Sequence, residues 1–143
     1  MKPQLLFLLA LLQVLLPEAQ SQSTRIPMDL RMVPTSIDTL VAYTLELTES
    51  ELPHFSAIIY SRDRTIKARG RYVLENKMWL EDGHFVFFHS NGTVESEGFF
   101  DRGIKVGEWR RFDVKGIEKV PRYYDPEAAE QLRALQKPVA PRQ

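Results

Sequence analysis

The sequence predicts a mainly β protein: a single antiparallel β-meander of repeated hairpins followed by a short C-terminal α-helix. Three observations predict it. All seven glycines (70, 83, 92, 98, 103, 107 and 116) fall between His54 and Val120, and no proline interrupts that stretch. Proline lacks a ladder donor and is excluded from central strands, whereas glycine marks turns and bulges. Asn91-Gly92 and Lys115-Gly116 separate aromatic-rich runs, a strong hairpin signal that for Asn-Gly implies a type I′ turn. Finally, the aromatic and glycine positions recur at a fixed spacing, the signature of a repeat architecture.

The first residues read as an address. Lys2 precedes the apolar run Leu5–Leu16, Pro17 breaks it, and Ala19-Gln20-Ser21 supplies small residues at the −3 and −1 positions of a cleavage site. The run is about 18 Å long as a helix, short of the roughly 30 Å hydrocarbon core, so a secretory signal peptide over 1–21 is favoured over an uncleaved anchor. Cleavage after Ser21 would send the chain to the periplasm, cell envelope or extracellular space. The mature chain divides into an N-terminal extended segment (22–37), a repeat β-sheet domain (38–124), and a C-terminal helix and tail (125–143).

Within the sheet domain, Asp38–Leu47 places Val41, Tyr43, Leu45 and Leu47 on one face at period two, as in a half-buried strand. Phe55–Tyr60, Thr65–Leu74 and Met78–Leu80 are expected to follow as strands. His84–His89 with Thr93–Phe100, and Glu108–Phe112 with Ile117–Tyr124, make two hairpins. The helix begins at the N-cap Asp125 with Pro126 at its first position, and runs over Glu127–Lys137 to Pro138. Its apolar stripe is Ala128, Leu132 and Leu135, and it is expected to cap the last open edge of the sheet.

The repeat is the informative feature. A shift of 24 residues carries Gly83, Phe85, Phe88 and Gly92 onto Gly107, Trp109, Phe112 and Gly116, and Phe99-Phe100-Asp101 onto Tyr123-Tyr124-Asp125. A shift of 28 carries Tyr60, Thr65, Ile66, Gly70 and Tyr72 onto Phe88, Thr93, Val94, Gly98 and Phe100; the four extra residues fit an insertion near Met78–Glu81. One hairpin is marginal in water, so stacked hairpins must bury a continuous aromatic row, here Phe85, Phe88, Phe100, Trp109, Phe112 and Tyr124.

The segment Gly98–Phe112, with Phe100, Gly103, Gly107, Trp109 and Phe112 in step, resembles the MORN-repeat-variant unit, whose pattern runs roughly Y-x-x-G-x-x-x-G-x-W-x-x-Y/F. Asp82–Phe88 followed by Asn91-Gly92 resembles a second copy. Such repeats occur in bacterial proteins labelled YwqK-type antitoxins and in secreted or envelope proteins. The resemblance implies a twisted, MORN-like β-meander used for contact, and raises antitoxin-like neutralisation of a partner as one use.

Catalytic chemistry finds little support. With 19 Lys+Arg against 19 Asp+Glu and no cysteine, the chain has no disulfide, thiolate metal site or thiol nucleophile, and its charge balance argues against a nucleic-acid binder. His84 and His89 are expected on opposite sides of one strand, and His54 lies in a loop. Glu95 and Glu97 are expected together on one charged outer face. There is no G-x-S-x-G elbow, phosphate-binding glycine loop or H-E-x-x-H. The sequence therefore predicts no enzyme, no cofactor and no metal. Asn91-Gly92-Thr93 satisfies the glycosylation sequon, although turn chemistry already accounts for Asn-Gly.

Lys67, Arg69 and Arg71 are expected to share one strand face, extended by Arg110, Arg111, Lys115 and Lys119. It reads either as a solvated face paired with Glu95 and Glu97 or as a contact for an anionic membrane surface or acidic partner. The leading expectation is an exported, non-catalytic module that binds another protein through its sheet face or edge. Peripheral attachment to anionic lipid and antitoxin-like neutralisation are the alternatives. The open edges also permit a dimer, with Pro121 and the helix as edge protection.

Overall fold

The computed structural model describes residues 23–50 and 52–136. The expected signal peptide and the tail beyond the helix lie outside the described residues. The rest is one open antiparallel sheet and one helix. The strands are β1 (Ser23–Met28), β2 (Tyr43–Glu49), β3 (His54–Ser61), β4 (Ile66–Glu75), β5 (Met78–Glu81), β6 (Gly83–Phe88), β7 (Val94–Asp101), β8 (Ile104–Phe112) and β9 (Glu118–Tyr124), followed by α1 (Pro126–Gln136). Their order is β1-β2-β3-β4-β6-β7-β8-β9, with β5 paired to β4, so nearly every strand neighbours its predecessor. The expected meander of hairpins with a terminal helix is what the chain forms.

The sheet begins earlier than expected. Ser23–Met28 is not a loose extension but an edge strand, paired with β2 from Ser23↔Thr48 to Met28↔Tyr43. Its Pro27 is compatible with an edge, where one lost donor costs no ladder bond. Asp38–Leu40 forms a single 3-10 turn, so the strand expected from Asp38 starts at Tyr43.

The hairpin repeat has a physical basis in its turns. Ser61–Thr65, His89–Thr93 and Asp113–Ile117 close identically: the first residue's N–H donates to the last carbonyl, and its carbonyl accepts from the fourth N–H. Arg64, Gly92 and Gly116 occupy the fourth position at φ +67°, +83° and +82°. Each is a type I turn with one left-handed residue, the three-residue hairpin geometry. The type I′ turn expected at Asn91-Gly92 is therefore absent; Asn91 instead accepts the Thr93 N–H and donates to the Val114 carbonyl of the next turn. Paired left-handed residues occur at the opposite end of the sheet, at Asn76-Lys77 and Arg102-Gly103.

β5 and β6 together are the counterpart of β8. Both paths pass a left-handed glycine, Gly83 at φ +87° and Gly107 at φ +68°, and pairing with the preceding strand changes register there. The inserted residues lengthen the β4–β5 hairpin on both arms: Tyr72 pairs with Glu81 across a loop that Phe100 and Lys105 close four residues sooner.

The core lies on the inner face. Met28, Leu45, Leu47, Ala57, Ile59, Ala68, Tyr72, Phe85 and Trp109 are buried in one cluster. The aromatic row runs Tyr72–Phe85 at 5.7 Å, Phe85–Phe100 at 5.0 Å, Phe100–Trp109 at 5.1 Å and Trp109–Tyr124 at 6.3 Å, all near edge-to-face. Such pairs each contribute about 0.5–1.5 kcal/mol beyond area burial. Phe88 and Phe112 do not join the row. A residue three along a strand faces the opposite side, so Phe87 packs inward beside Phe85 instead. Phe112 lies outward under the Arg110 guanidinium, 5.1 Å from its ring centre.

The helix is rotated from its expected setting. Asp125 caps it through the Glu127 N–H at 2.9 Å, but Ala129 is the buried residue, and Leu132 and Leu135 are 50% and 82% exposed. It packs on β8 and not over the last edge. Arg133 sets this rotation, with Nη2 2.6 Å from the Asp101 carboxylate and Nη1 2.7 Å from Glu130.

Candidate functional site on the two faces of the C-terminal hairpins

The expected basic face does not form as one surface. Pairing slips between Ile59 and Tyr60 leave Lys67 as the extra residue of a β-bulge, and an equivalent slip between Phe87 and Phe88 does the same for Glu95. A bulge re-aims a side chain. Lys67 thereby leaves the side of Arg69 and Arg71 and binds the Glu95 carboxylate and the Phe88 carbonyl. Arg71 lies 3.7 Å from Asp82, which also meets His54 at 3.2 Å. Arg69 is the member of this trio with no ion pair among the described residues.

Glu95 and Glu97 are likewise separated. Glu97 stays on the outer face, 2.9 Å from Arg110 and 3.8 Å from His84, and Arg110 continues to Glu118 at 2.9 Å. Hydrogen bonding and the nearby carboxylates raise the Arg110 pKa further, and the same contact lowers that of Glu118. The outer face of β7–β9 is thus largely charge-neutralised.

Two aromatic rings stand out on it. In each pair, Phe99-Phe100 and Tyr123-Tyr124, the second ring enters the core and the first turns out. Phe99 remains 55% exposed and Tyr123 73% exposed. Phe99 pairs across the ladder with Val106 and touches the His84 ring at 5.2 Å; Tyr123 pairs with Glu108.

The inner face carries the opposite character where the core ends. A cleft of about 270 Å³ is lined by Lys105, Arg111, Lys119 and Arg122 together with His89, Ser96, Trp109 and Tyr124. The Lys105 ammonium stands 3.9 Å from the Trp109 ring centre, and burial, opposed in part by Tyr124, lowers its pKa, with Arg122 and Arg111 also lowering it. Glu95 is the carboxylate at its rim, and Lys67 already engages it. Lys105 and Arg122 were not singled out by sequence reading. A signal existed: in the 24-residue alignment they replace Glu81 and Gly98.

The Tyr72 hydroxyl donates to Glu81 at 3.3 Å, and burial raises the pKa of both groups. His84 lies outward and His89 borders the inner cleft, its ring nitrogen 3.1 Å from the Phe112 carbonyl. Among the described residues, no group of three or more His, Asp or Glu side chains is placed to hold a metal ion. The chain matches no protein-family model, and no curated protein or solved structure is significantly similar to it.

Proposed function

We propose that this chain is an exported, non-catalytic binding module that holds another protein on the outer face of β7–β9. The observation that carries the reading is the outward pair Phe99 and Tyr123. The fold uses Phe100 and Tyr124 for its core and leaves their neighbours to solvent, 55% and 73% exposed. Exposed aromatics ringed by satisfied polar groups are the usual anchors of protein interfaces. Beside them Glu97, Arg110 and Glu118 pair with one another and can be covered without stranding those charges, whereas Glu108, across from Tyr123, has no ion pair among the described residues and favours a partner with a basic group there.

Face contact is favoured over strand addition. Both sheet edges carry a proline, Pro27 in β1 and Pro121 in β9, and each removes a backbone donor that an added strand would use. The resemblance to MORN-repeat variants and the leader-like N-terminus support an exported contact module.

The test is a double substitution, Phe99→Ser with Tyr123→Ser. It should leave the thermal midpoint within about 2 °C, since exposed positions contribute little to stability. It should also abolish co-purification of the native partner from the envelope or secretory fraction. Undiminished retention of that partner would refute the reading.

A further inference from the structure

The geometry points to the inner cleft of β7–β9 as a binding site for a compact oxyanion of the phosphate class, carrying at least two negative charges. Four cationic side chains, Lys105, Arg111, Lys119 and Arg122, line one cleft of about 270 Å³. Among the described residues none of the four forms an ion pair, whereas seven of the twelve other described Lys and Arg side chains do. Like charges gathered together repel one another: Glu95, already held by Lys67, is the one carboxylate among the lining residues, and Arg122 and Arg111 both lower the Lys105 pKa, opposed in part by Tyr124 and Glu95. An arrangement of this kind is stabilised by an anion placed among them.

The repeat shows that the fold does not require these cations. The 24-residue shift maps Lys105, Arg111, Lys119 and Arg122 onto Glu81, Phe87, Glu95 and Gly98 of the preceding unit. There the same scaffold is built with two carboxylates, a phenylalanine and a glycine. Gly98 has a packing reason to be glycine, because the Trp109 ring lies over it; a Cβ there would fall 2.5 Å from ring atoms. At Arg122 no further ring arrives. The last strand is thus free to project a guanidinium where its predecessor must accept an aromatic face. Cations at all four positions are a feature of this unit and not of the repeat.

The cleft's size and donors narrow the ligand. It is smaller than the roughly 300–1,000 Å³ typical of drug-sized pockets. Ser96 and Tyr124 add hydroxyls and His89 a ring nitrogen. Trp109, only 1% exposed, forms a closed floor and not a stacking surface. Several cationic donors lining one small cleft over such a floor suit a compact oxyanion better than a planar base or an extended chain. This inference does not depend on the outer-face reading, since the cleft opens on the other side of the sheet.

Titration of the full chain with inorganic phosphate and pyrophosphate, followed by calorimetry and by amide shifts of Ser96, Lys105 and Arg122, tests it. Saturable binding is expected, with pyrophosphate tighter. The double substitution Lys119→Glu with Arg122→Gly restores the preceding unit's residues at two exposed positions. It should weaken binding about tenfold or more, the loss of at least one charge-assisted hydrogen bond, while the ligand-free thermal midpoint is retained. Parallel sedimentation with phosphatidate and phosphatidylcholine vesicles separates the sources. Recruitment to phosphatidate that pyrophosphate reverses assigns the oxyanion to a lipid headgroup, and pyrophosphate binding without recruitment assigns it to a soluble ligand. No saturable binding of either anion, equal binding by the double variant, or binding of poly-glutamate in place of both anions would overturn the site.

Discussion

Gly98 lies directly beneath the Trp109 ring, so closely that a β-carbon would sit 2.5–2.6 Å from three ring atoms. Gly70 stands in the same relation to Phe85. This glycine–aromatic couple makes the repeat intelligible: the absent side chain of one strand is the seat for the ring of the next. Gly98→Ala should therefore cost about 1–3 kcal/mol through overpacking, read as a drop of several degrees in thermal midpoint. Gly92→Ala meets open space and bears only the left-handed backbone, which Arg64 already tolerates in the equivalent turn. Gly98→Ala should be the more damaging, and the reverse order would contradict the packing account.

Trp109 and Phe112 separate two roles that their sequence pattern makes look alike. Trp109→Ala removes a buried ring and its indole hydrogen bond to the Phe99 carbonyl at 3.1 Å, and should cost about 3–5 kcal/mol. Phe112→Ala, on the outer face, should cost less than half as much. Urea unfolding of the two variants checks this; equal losses would place both rings in one core.

Stability should depend on pH through Glu81. Burial raises its pKa above the ordinary value, so the fold favours the protonated carboxyl. The associated stability is present below about pH 4.3 and is lost as pH rises through the folded-state value. Asp29, Asp63 and Asp113 carry lowered pKa values from turn N–H or hydroxyl bonds and act in the opposite sense, losing stability as pH falls. Glu81→Gln keeps an acceptor for the Tyr72 hydroxyl. It should raise the urea midpoint at pH 7 while changing little at pH 4, and an unchanged midpoint at pH 7 would deny the buried charge its cost.

Arg133 anchors the helix. Arg133→Ala removes its contacts to the Asp101 carboxylate and carbonyl, and hydrogen exchange of the α1 amides should accelerate about tenfold or more, the loss of roughly one charge-assisted bond. Leu135→Ser, at an exposed site, should leave exchange unchanged. If instead Leu135→Ser released the helix, its packed face would be the leucine stripe.

The meander and the positions of its turns were legible because glycine and aromatic spacing marks where strands end, whereas the type of the Asn91-Gly92 turn was not. Phe88 and Phe112 were misplaced because a three-residue spacing matches well by eye yet crosses from one face of a strand to the other; period two would have chosen Phe87. The proposed trio of Lys67, Arg69 and Arg71 failed for a subtler reason: the bulge at Lys67 arises from pairing with β3, which nothing local in the sequence encodes. The helix stripe failed because the helix buries Ala129 and turns Arg133 toward Asp101, leaving Leu132 and Leu135 to solvent. The cationic cleft could be seen only once β8 and β9 had been set in register, since its members are spread from Lys105 to Arg122.

The contact surface itself is tested most directly by site-specific photocrosslinking in the native cell. A photoreactive amino acid would replace Phe99 or Tyr123, and in separate chains Thr24 or Leu30, on and beside the β1 edge strand at the other side of the sheet. The account predicts one discrete crosslinked protein from positions 99 and 123 and none from the other two. Crosslinks from 24 and 30 alone, or the same adducts from all four positions, would contradict it.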